Sequence, residues 1–268
     1  MLQLLILATS VVPSFADEDA DKPARRPQID RLEQVVDPDK LVRASGVAFG
    51  GMQIWCVVYH GQGHYAILNP TEKSWSFSKN VKYQAAIRQV AGKIGSPGGV
   101  CFVDGKLWIA GSYGESIGCI NTENWKVVRH FKGKQREDKA SQSYAGVTHD
   151  GEHLWVAWHW YKYDLSAAKT QLLLKMDPET GKVLGEFPIP GGKRRDGAHG
   201  LTWDGTNLWH IKDQTLSAIE PAGGNVVARY VLEKLTRPTG LAWDSTTLWI
   251  TEFSGALWKL PLSNPMSK

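Results

Sequence analysis

Histidines, carboxylates and one dense aromatic run are the residues of this chain best suited to chemistry. His60 and His64 flank a Gly-Gln-Gly turn, His159 stands in the run Trp158-His159-Trp160-Tyr161-Lys162-Tyr163-Asp164, and His199 closes a Gly- and Arg-rich stretch. Imidazoles and carboxylates move protons near neutral pH, and Glu115 and Glu252 are the carboxylates expected to do so here. Tyr113, Trp158, His159, Trp160, Tyr161 and Tyr163, with His60, His199 and Asp213, form the expected ligand-binding set. Exposed rings at that density suit a stacking platform for a peptide, a sugar or an aromatic ligand. His60 and His64 with a carboxylate from Glu115, Asp213 or Glu252 have the ligand types of several divalent metals. No recognised metal-ligand spacing accompanies them, so no metal and no cofactor are expected. His149-Asp150-Gly151-Glu152-His153 reads as turn chemistry on the opposite face, and Lys193-Arg194-Arg195 as a solvated basic loop.

What must position these residues is a repeat. Gly46, Gly99, Gly146, Gly200 and Gly240 each begin a short apolar or alternating run, and each is followed nine residues later by a tryptophan: Trp55, Trp108, Trp155, Trp209 and Trp249. Between the two halves stand Gly50-Gly51, Asp104-Gly105, Asp150-Gly151, Asp204-Gly205 and Asp244-Ser245, dipeptides that accept the positive φ of a tight hairpin. A third apolar run follows each tryptophan, as in residues 65–68, 117–120, 172–176, 216–219 and 257–260, and a fourth follows the first four of these. Four antiparallel strands per unit, with repeat glycines 53, 47, 54 and 40 residues apart, predict the blades of a β-propeller.

The fifth unit stops after three strands. Residues 32–36, Leu-Glu-Gln-Val-Val, precede Gly46 much as residues 226–231 precede Gly240, so the N-terminal strand is expected to supply the missing one. Such closure removes both exposed sheet edges. The fold class predicted is all-β, a five-bladed propeller of four-stranded antiparallel blades closed by an N-terminal strand, over residues 31–268. Residues 84–90 read as a short helical insertion. Since the repeat tryptophan marks where each second strand ends, the candidate side chains beyond it are expected to emerge together at one mouth of the central channel.

Composition narrows the function classes. The 268 residues carry 31 Lys plus Arg against 27 Asp plus Glu, a net charge of +4, too weak a bias to indicate a nucleic-acid partner. Residues 2–12 are apolar and Ser14-Phe15-Ala16 precedes Asp17-Glu18-Asp19, which predicts a signal peptide over 1–16 and a secreted or periplasmic protein. Residues 17–30 read as a disordered leader. No stretch approaches the length of a membrane span, and a monomer is expected. Of three cysteines, Cys101 and Cys119 fall two strands apart, beyond disulfide reach, and all three read as structural thiols.

The run Gly200-Leu201-Thr202-Trp203-Asp204-Gly205-Thr206-Asn207-Leu208-Trp209, with its partners at 146–155 and 240–249, resembles the blades of exported propellers grouped with the glutamine cyclotransferases. It is more distantly similar to NHL-type and SMP-30-like propellers. The first resemblance implies an enzyme that closes an N-terminal glutamine into pyroglutamate and releases ammonia, with a carboxylate shuttling the proton between amine and leaving amide. In that family the first blade opens on Gln or Glu and Gly after Phe-Thr. Here Arg43-Ala44-Ser45-Gly46 stands there, so catalysis would rest with Glu115 or Glu252. The SMP-30-like alternative implies a metal-dependent lactonase-type hydrolase with Glu, Asn and Asp around a divalent ion. The main functional expectation is a propeller that binds a small-molecule or peptide ligand at one mouth of its channel.

Overall fold

The computed structural model describes residues 25–38, 43–58, 64–68, 75–77, 85–86, 89–90, 97–111, 116–132, 141–161, 171–189 and 200–263. The expected signal peptide and most of the expected leader lie outside these. The described chain begins with β1 (Arg26–Pro27), a 3-10 turn (Ile29–Arg31) and β2 (Glu33–Val36).

Four antiparallel blades follow, in a propeller-like arrangement. The first joins β3 (Ala44–Gly50), β4 (Gln53–Val58), β5 (His64–Leu68) and β6 (Ser76–Phe77), and the second β7 (Pro97–Val103), β8 (Lys106–Gly111), β9 (Ser116–Asn121) and β10 (Lys126–Lys132). The third joins β11 (Ser141–His149), β12 (Leu154–Tyr161), β13 (Gln171–Met176) and β14 (Val183–Pro188). The fourth joins β15 (Gly200–Trp203), β16 (Leu208–Lys212), β17 (Thr215–Ile219) and β18 (Val226–Val231). The last sheet is composite: β19 (Pro238–Trp243), β20 (Thr247–Glu252) and β21 (Leu257–Ser263) are completed by β2 on residues 257–259 and by β1 on residues 262–263. The N-terminal strand thus pairs where expected, and the chain already pairs at Arg26, inside the segment expected to be a disordered leader. The physical reason is an open sheet edge on β21, whose backbone groups Arg26–Pro27 can satisfy and whose Pro261 carbonyl accepts the Gln28 N–H at 2.9 Å.

The repeat glycines meet at the axis. A Cβ on Gly99 would lie 2.6 Å from the Gly146 Cα, and one on Gly46 would lie 2.4 Å from the Gly98 carbonyl oxygen, so only glycine lets the inner strands approach this closely. All five glycines, with the residue after each, line a constriction that leaves no room for water. The two mouths of the channel are therefore separate surfaces.

The core lies between sheets. The second strands are buried almost throughout, and the apolar clusters pair one blade's tryptophan strand with the next blade's inner strand. Trp108, Trp155 and Trp209 each pack against an aromatic residue of their own fourth strand, stacked in the first pair and tilted in the other two, with centroids 6.0, 5.7 and 6.3 Å apart. In the first hairpin the positive-φ residues are Gly51 and Met52 rather than Gly50 and Gly51, because Gly50 still pairs with Gln53. Residues 85, 86, 89 and 90 are helical, and Ala86 and Val90 are buried in the cluster between the first two blades. Cys56, Cys101 and Cys119 are free and buried; Trp108 separates the latter two in register. Burial pushes the Cys119 thiol up to about 12, so none of the three is poised as a nucleophile.

Candidate functional site

The second strands all run toward one mouth, and the expected site residues divide there into three groups. His60, Tyr113, Glu115, Tyr163 and His199 lie outside the described residues. Trp158, Trp160 and Tyr161 were expected in a loop but belong to β12, pairing with Tyr144, Gln142 and Ser141. The aromatic run has high strand propensity and an unpaired segment upstream to meet, so the backbone pairs on through Tyr161 instead of looping. Trp158 is turned away from solvent: it is 4% exposed and packs with Trp108, Ala110 and Ile117 of the second blade. It is a packing residue, not a stacking surface. His64 opens β5, opposite Val58.

Glu252 and Asp213 both lie among the described residues, and Glu252 is not placed as the proton shuttle it was expected to be. Glu252 is 5% exposed. Its Oε1 accepts the Thr236 and Arg237 N–H groups at 2.5 and 2.9 Å, and its Oε2 accepts the Trp258 indole N–H at 2.9 Å. A carboxylate holding three donors ties the 236–237 turn to β21, which is a structural task. Asp213 takes φ 52° in the two-residue turn between β16 and β17, where Lys212 pairs with Thr215. Ser45 stands where the resemblance calls for Gln or Glu; two residues before it Arg43 carries its guanidinium 5.4 Å from the Phe253 ring centroid, and Arg237 lies 3.8 Å from the same centroid. This part of the mouth is cationic.

A polar layer crosses the seam between the third and fourth blades, and of its members only His159 was among the expected site residues. On β12, Trp155 and Ala157 face the fourth blade, as does Leu173 on β13. Strand alternation puts His159 and Gln171 on that same face, and Ser143 stands directly opposite His159 in register. From the other side, Leu208 and Ile219 face the third blade, so His210, Lys212 and Ser217 do too, with Ser217 opposite His210. Since Trp155 and Trp209 occupy equivalent levels, Lys212 falls between the levels of Ala157 and His159, and His210 just below.

His159, His210, Lys212, Ser143 and Ser217 are all buried, at 5, 1, 3, 2 and 1% exposure. The Ser143 and Ser217 hydroxyls and the Gln171 carbonyl oxygen have no hydrogen-bond partner among the described residues. Each such orphan costs about 1–3 kcal/mol. Burial, and secondarily the Lys212 charge, drives the His210 imidazole down to about 3, so it is neutral at physiological pH. The signal was in the repeat: one residue after the repeat tryptophan stand Cys56, Ile109, Val156 and Ile250, but His210, and three after it Val58, Gly111, Trp158 and Glu252, but Lys212.

At the opposite mouth the inner strands enclose a cavity of about 90 Å³, rimmed by Phe49, Phe102, His149, Trp203 and Trp243, with Thr148 and Thr202 among its other lining residues. Turn chemistry accounts for His149, whose Nδ1 accepts the Gly151 N–H at 2.9 Å. Among the described residues no group of three or more His, Cys, Asp or Glu is placed to hold a metal ion, and no helix is long and apolar enough to cross a membrane.

No protein-family model matches the sequence, and no curated protein matches it. Solved structures do. Glutaminyl cyclase from Myxococcus xanthus superposes with a TM-score of 0.61 at 12% identity, over 90% of this chain and 99% of that one. A catalytically inactive virginiamycin B lyase from Staphylococcus aureus, with quinupristin, gives 0.50 at 15% identity, over 87% and 99%. The selenomethionine form of that lyase gives 0.51 at 14% identity with the same coverage. The chain is a propeller resembling glutaminyl cyclase in fold.

Proposed function

We propose that the chain is an exported, monomeric five-bladed propeller, its composite sheet counting as the fifth blade, that binds a small-molecule or peptide ligand at the mouth to which the second strands run. The observation that carries this reading is the polar layer of Ser143, His159, His210, Lys212 and Ser217. At the positions of His210 and Ser217 every other repeat unit carries an apolar residue or glycine, so folding does not require polar groups there, and buried polar groups beside a mouth are the usual mark of a ligand seat. The test is a screen of peptides and small molecules by intrinsic tryptophan fluorescence, repeated with His159→Ala and Trp160→Ala. Loss of about 1–3 kcal/mol of affinity in either variant supports the reading. A ligand that binds both variants as well as the parent chain refutes it.

A second reading, glutaminyl-peptide cyclotransferase, is favoured by the likeness to the Myxococcus enzyme. Its carboxylate would be Glu115. Ammonia release from a Gln-initiated peptide, lowered roughly 10²-fold by Glu115→Gln with little change in affinity, would establish it. The cationic surroundings of Phe253 and the engagement of Glu252 argue for the binding module.

A further inference from the structure

We propose that the channel mouth at the hairpin turns, opposite the mouth to which the second strands run, seats a guanidinium group, carried by a small cation or by an arginine side chain of a peptide. This goes beyond the ligand-binding reading and does not depend on it, because the glycine constriction separates the two mouths. Phe49, Phe102, His149, Trp203 and Trp243 each stand three residues after a repeat glycine, so every sheet around the axis contributes one ring to the rim of the cavity of about 90 Å³. Burial holds the His149 imidazole below its ordinary value, so it adds no positive charge at neutral pH. The turns around this mouth carry Asp104, Asp150, Asp204 and Asp244 against Lys106 and Arg25, a field that draws cations in.

The chain already seats one guanidinium here. Arg25 lies 5.0 Å from the Trp243 ring centroid and 3.5 Å from the Asp204 carboxylate. Asp204 in turn accepts the Trp209 indole N–H, and Trp209 packs in one cluster with Trp243 of the next sheet. One seam back the same parts recur: Asp150 accepts the Trp155 indole N–H, and Trp155 packs in one cluster with Trp203. No guanidinium is placed there among the described residues. The Asp204 side chain is wholly covered beside Arg25, whereas that of Asp150 is 12% exposed. His153, with Nδ1 3.6 Å from Asp150, stands where Asn207 stands beside Asp204, and Lys175 lies over the Trp155 ring, 5.5 Å from its centroid. Both leave the Trp203 ring without a cation. A guanidinium suits the seat because it is planar and weakly hydrated, and it stacks on an indole while donating N–H groups to a carboxylate. A divalent metal does not, since no group of three ligating side chains is placed here among the described residues.

The experiment follows indole N–H resonances of ¹⁵N-tryptophan-labelled protein during titration with methylguanidinium and with Gly-Arg-Gly capped at both ends. The same capped peptide with lysine, and with citrulline, which keeps the shape of arginine without its charge, are the controls. Trp203→Phe assigns the Trp203 signal. Methylguanidinium and the arginine peptide are expected to shift it, the lysine peptide to do so several-fold more weakly, and the citrulline peptide to leave it in place. Equal affinity for methylguanidinium and the arginine peptide identifies a small cation, and much tighter peptide binding identifies a peptide side chain.

Asp150→Asn, which keeps an acceptor for the Trp155 indole, should weaken guanidinium binding about tenfold by calorimetry. Trp203→Leu, which keeps an apolar side chain but removes the π face, supplies the same test if the aspartate variant does not fold. Arg25→Gln vacates the first seat, so the arginine peptide should then shift the Trp243 signal as well as that of Trp203. An unmoved Trp203 signal, an equal response to the citrulline peptide, undiminished affinity in Asp150→Asn or Trp203→Leu, or a Trp243 signal that stays in place in Arg25→Gln overturns the proposal. If the arginine peptide shifts Trp203 only after residues 1–24 are removed, the chain's own residues before Arg25 fill the seat, and the assignment to an outside ligand is overturned.

Discussion

The Asp204 carboxylate accepts the indole N–H of Trp209 through Oδ2 at 2.8 Å, while its Oδ1 accepts the Thr206 and Asn207 N–H groups at 2.8 and 2.7 Å. One side chain therefore closes the hairpin and anchors the tryptophan that the hairpin delivers to the core. Asp150 with Trp155 and Asp244 with Trp249 repeat it at 2.6 and 2.7 Å, whereas Trp55 uses the Gly50 carbonyl at 3.0 Å. Asp204→Ala leaves a buried indole N–H and two turn amides without their acceptor. It should destabilise the fold by about 2–4 kcal/mol, measured by denaturant unfolding. Asp204→Asn, which keeps one acceptor oxygen, should cost less.

Acid stability should carry the mark of His210. Its folded value near 3 lies below the unfolded value of about 6.5. As pH falls below about 6.5 the unfolded chain takes up a proton that the folded chain refuses, and stability drops by up to about 1.4 kcal/mol per pH unit until pH nears 3. Burial raises Asp150, but the Trp155 indole and the His153 and Glu152 amides outweigh it and hold its carboxyl below the usual range. That contribution is full above about pH 4 and is lost below it. Unfolding of His210→Ile measured from pH 7 to pH 4 should show a much flatter curve than the parent chain.

Glycine at the axis and glycine in a turn should answer substitution differently. Gly99→Ala drives a Cβ to 2.6 Å from the Gly146 Cα and 2.9 Å from the Ala145 carbonyl, backbone atoms that cannot swing aside. It should cost about 3 kcal/mol or more, or prevent folding. Gly105→Ala meets nothing within 4 Å and strains only a φ of 69°, so its cost should be about 1 kcal/mol. Comparable melting temperatures for the two variants would contradict the glycine ring.

The N-terminal segment should contribute in two steps. Arg25 lies 5.0 Å from the Trp243 ring centroid and 3.5 Å from the Asp204 carboxylate, and Arg26–Pro27 pair with β21. Removing residues through Pro27 should therefore lower stability measurably, by about 1 kcal/mol. Leu32 and Val36 are 5 and 4% exposed within apolar clusters. Deletion through Val36 should cost a further 3–6 kcal/mol, roughly two buried aliphatic side chains, and should expose the edge of β21 to aggregation. Thermal melts and light scattering of the two truncations check this.

The repeat was legible in the sequence because it is written in local contacts. A glycine, a turn dipeptide and a tryptophan nine residues on determine one hairpin, and five such spacings determine a propeller-like array, down to the three-strand unit that borrows β2. Backbone hydrogen bonds within a hairpin need no information from elsewhere. The site was not legible in the same way. Whether Glu252 is a shuttle or a brace depends on the Thr236 and Arg237 amides and the Trp258 indole, none adjacent to it in sequence. His159 and His210 lie in different blades, and only the packing of β12 against β16 turns their faces toward each other. Strand alternation settles which residues share a face, but which faces meet is decided by the way the sheets pack around the axis.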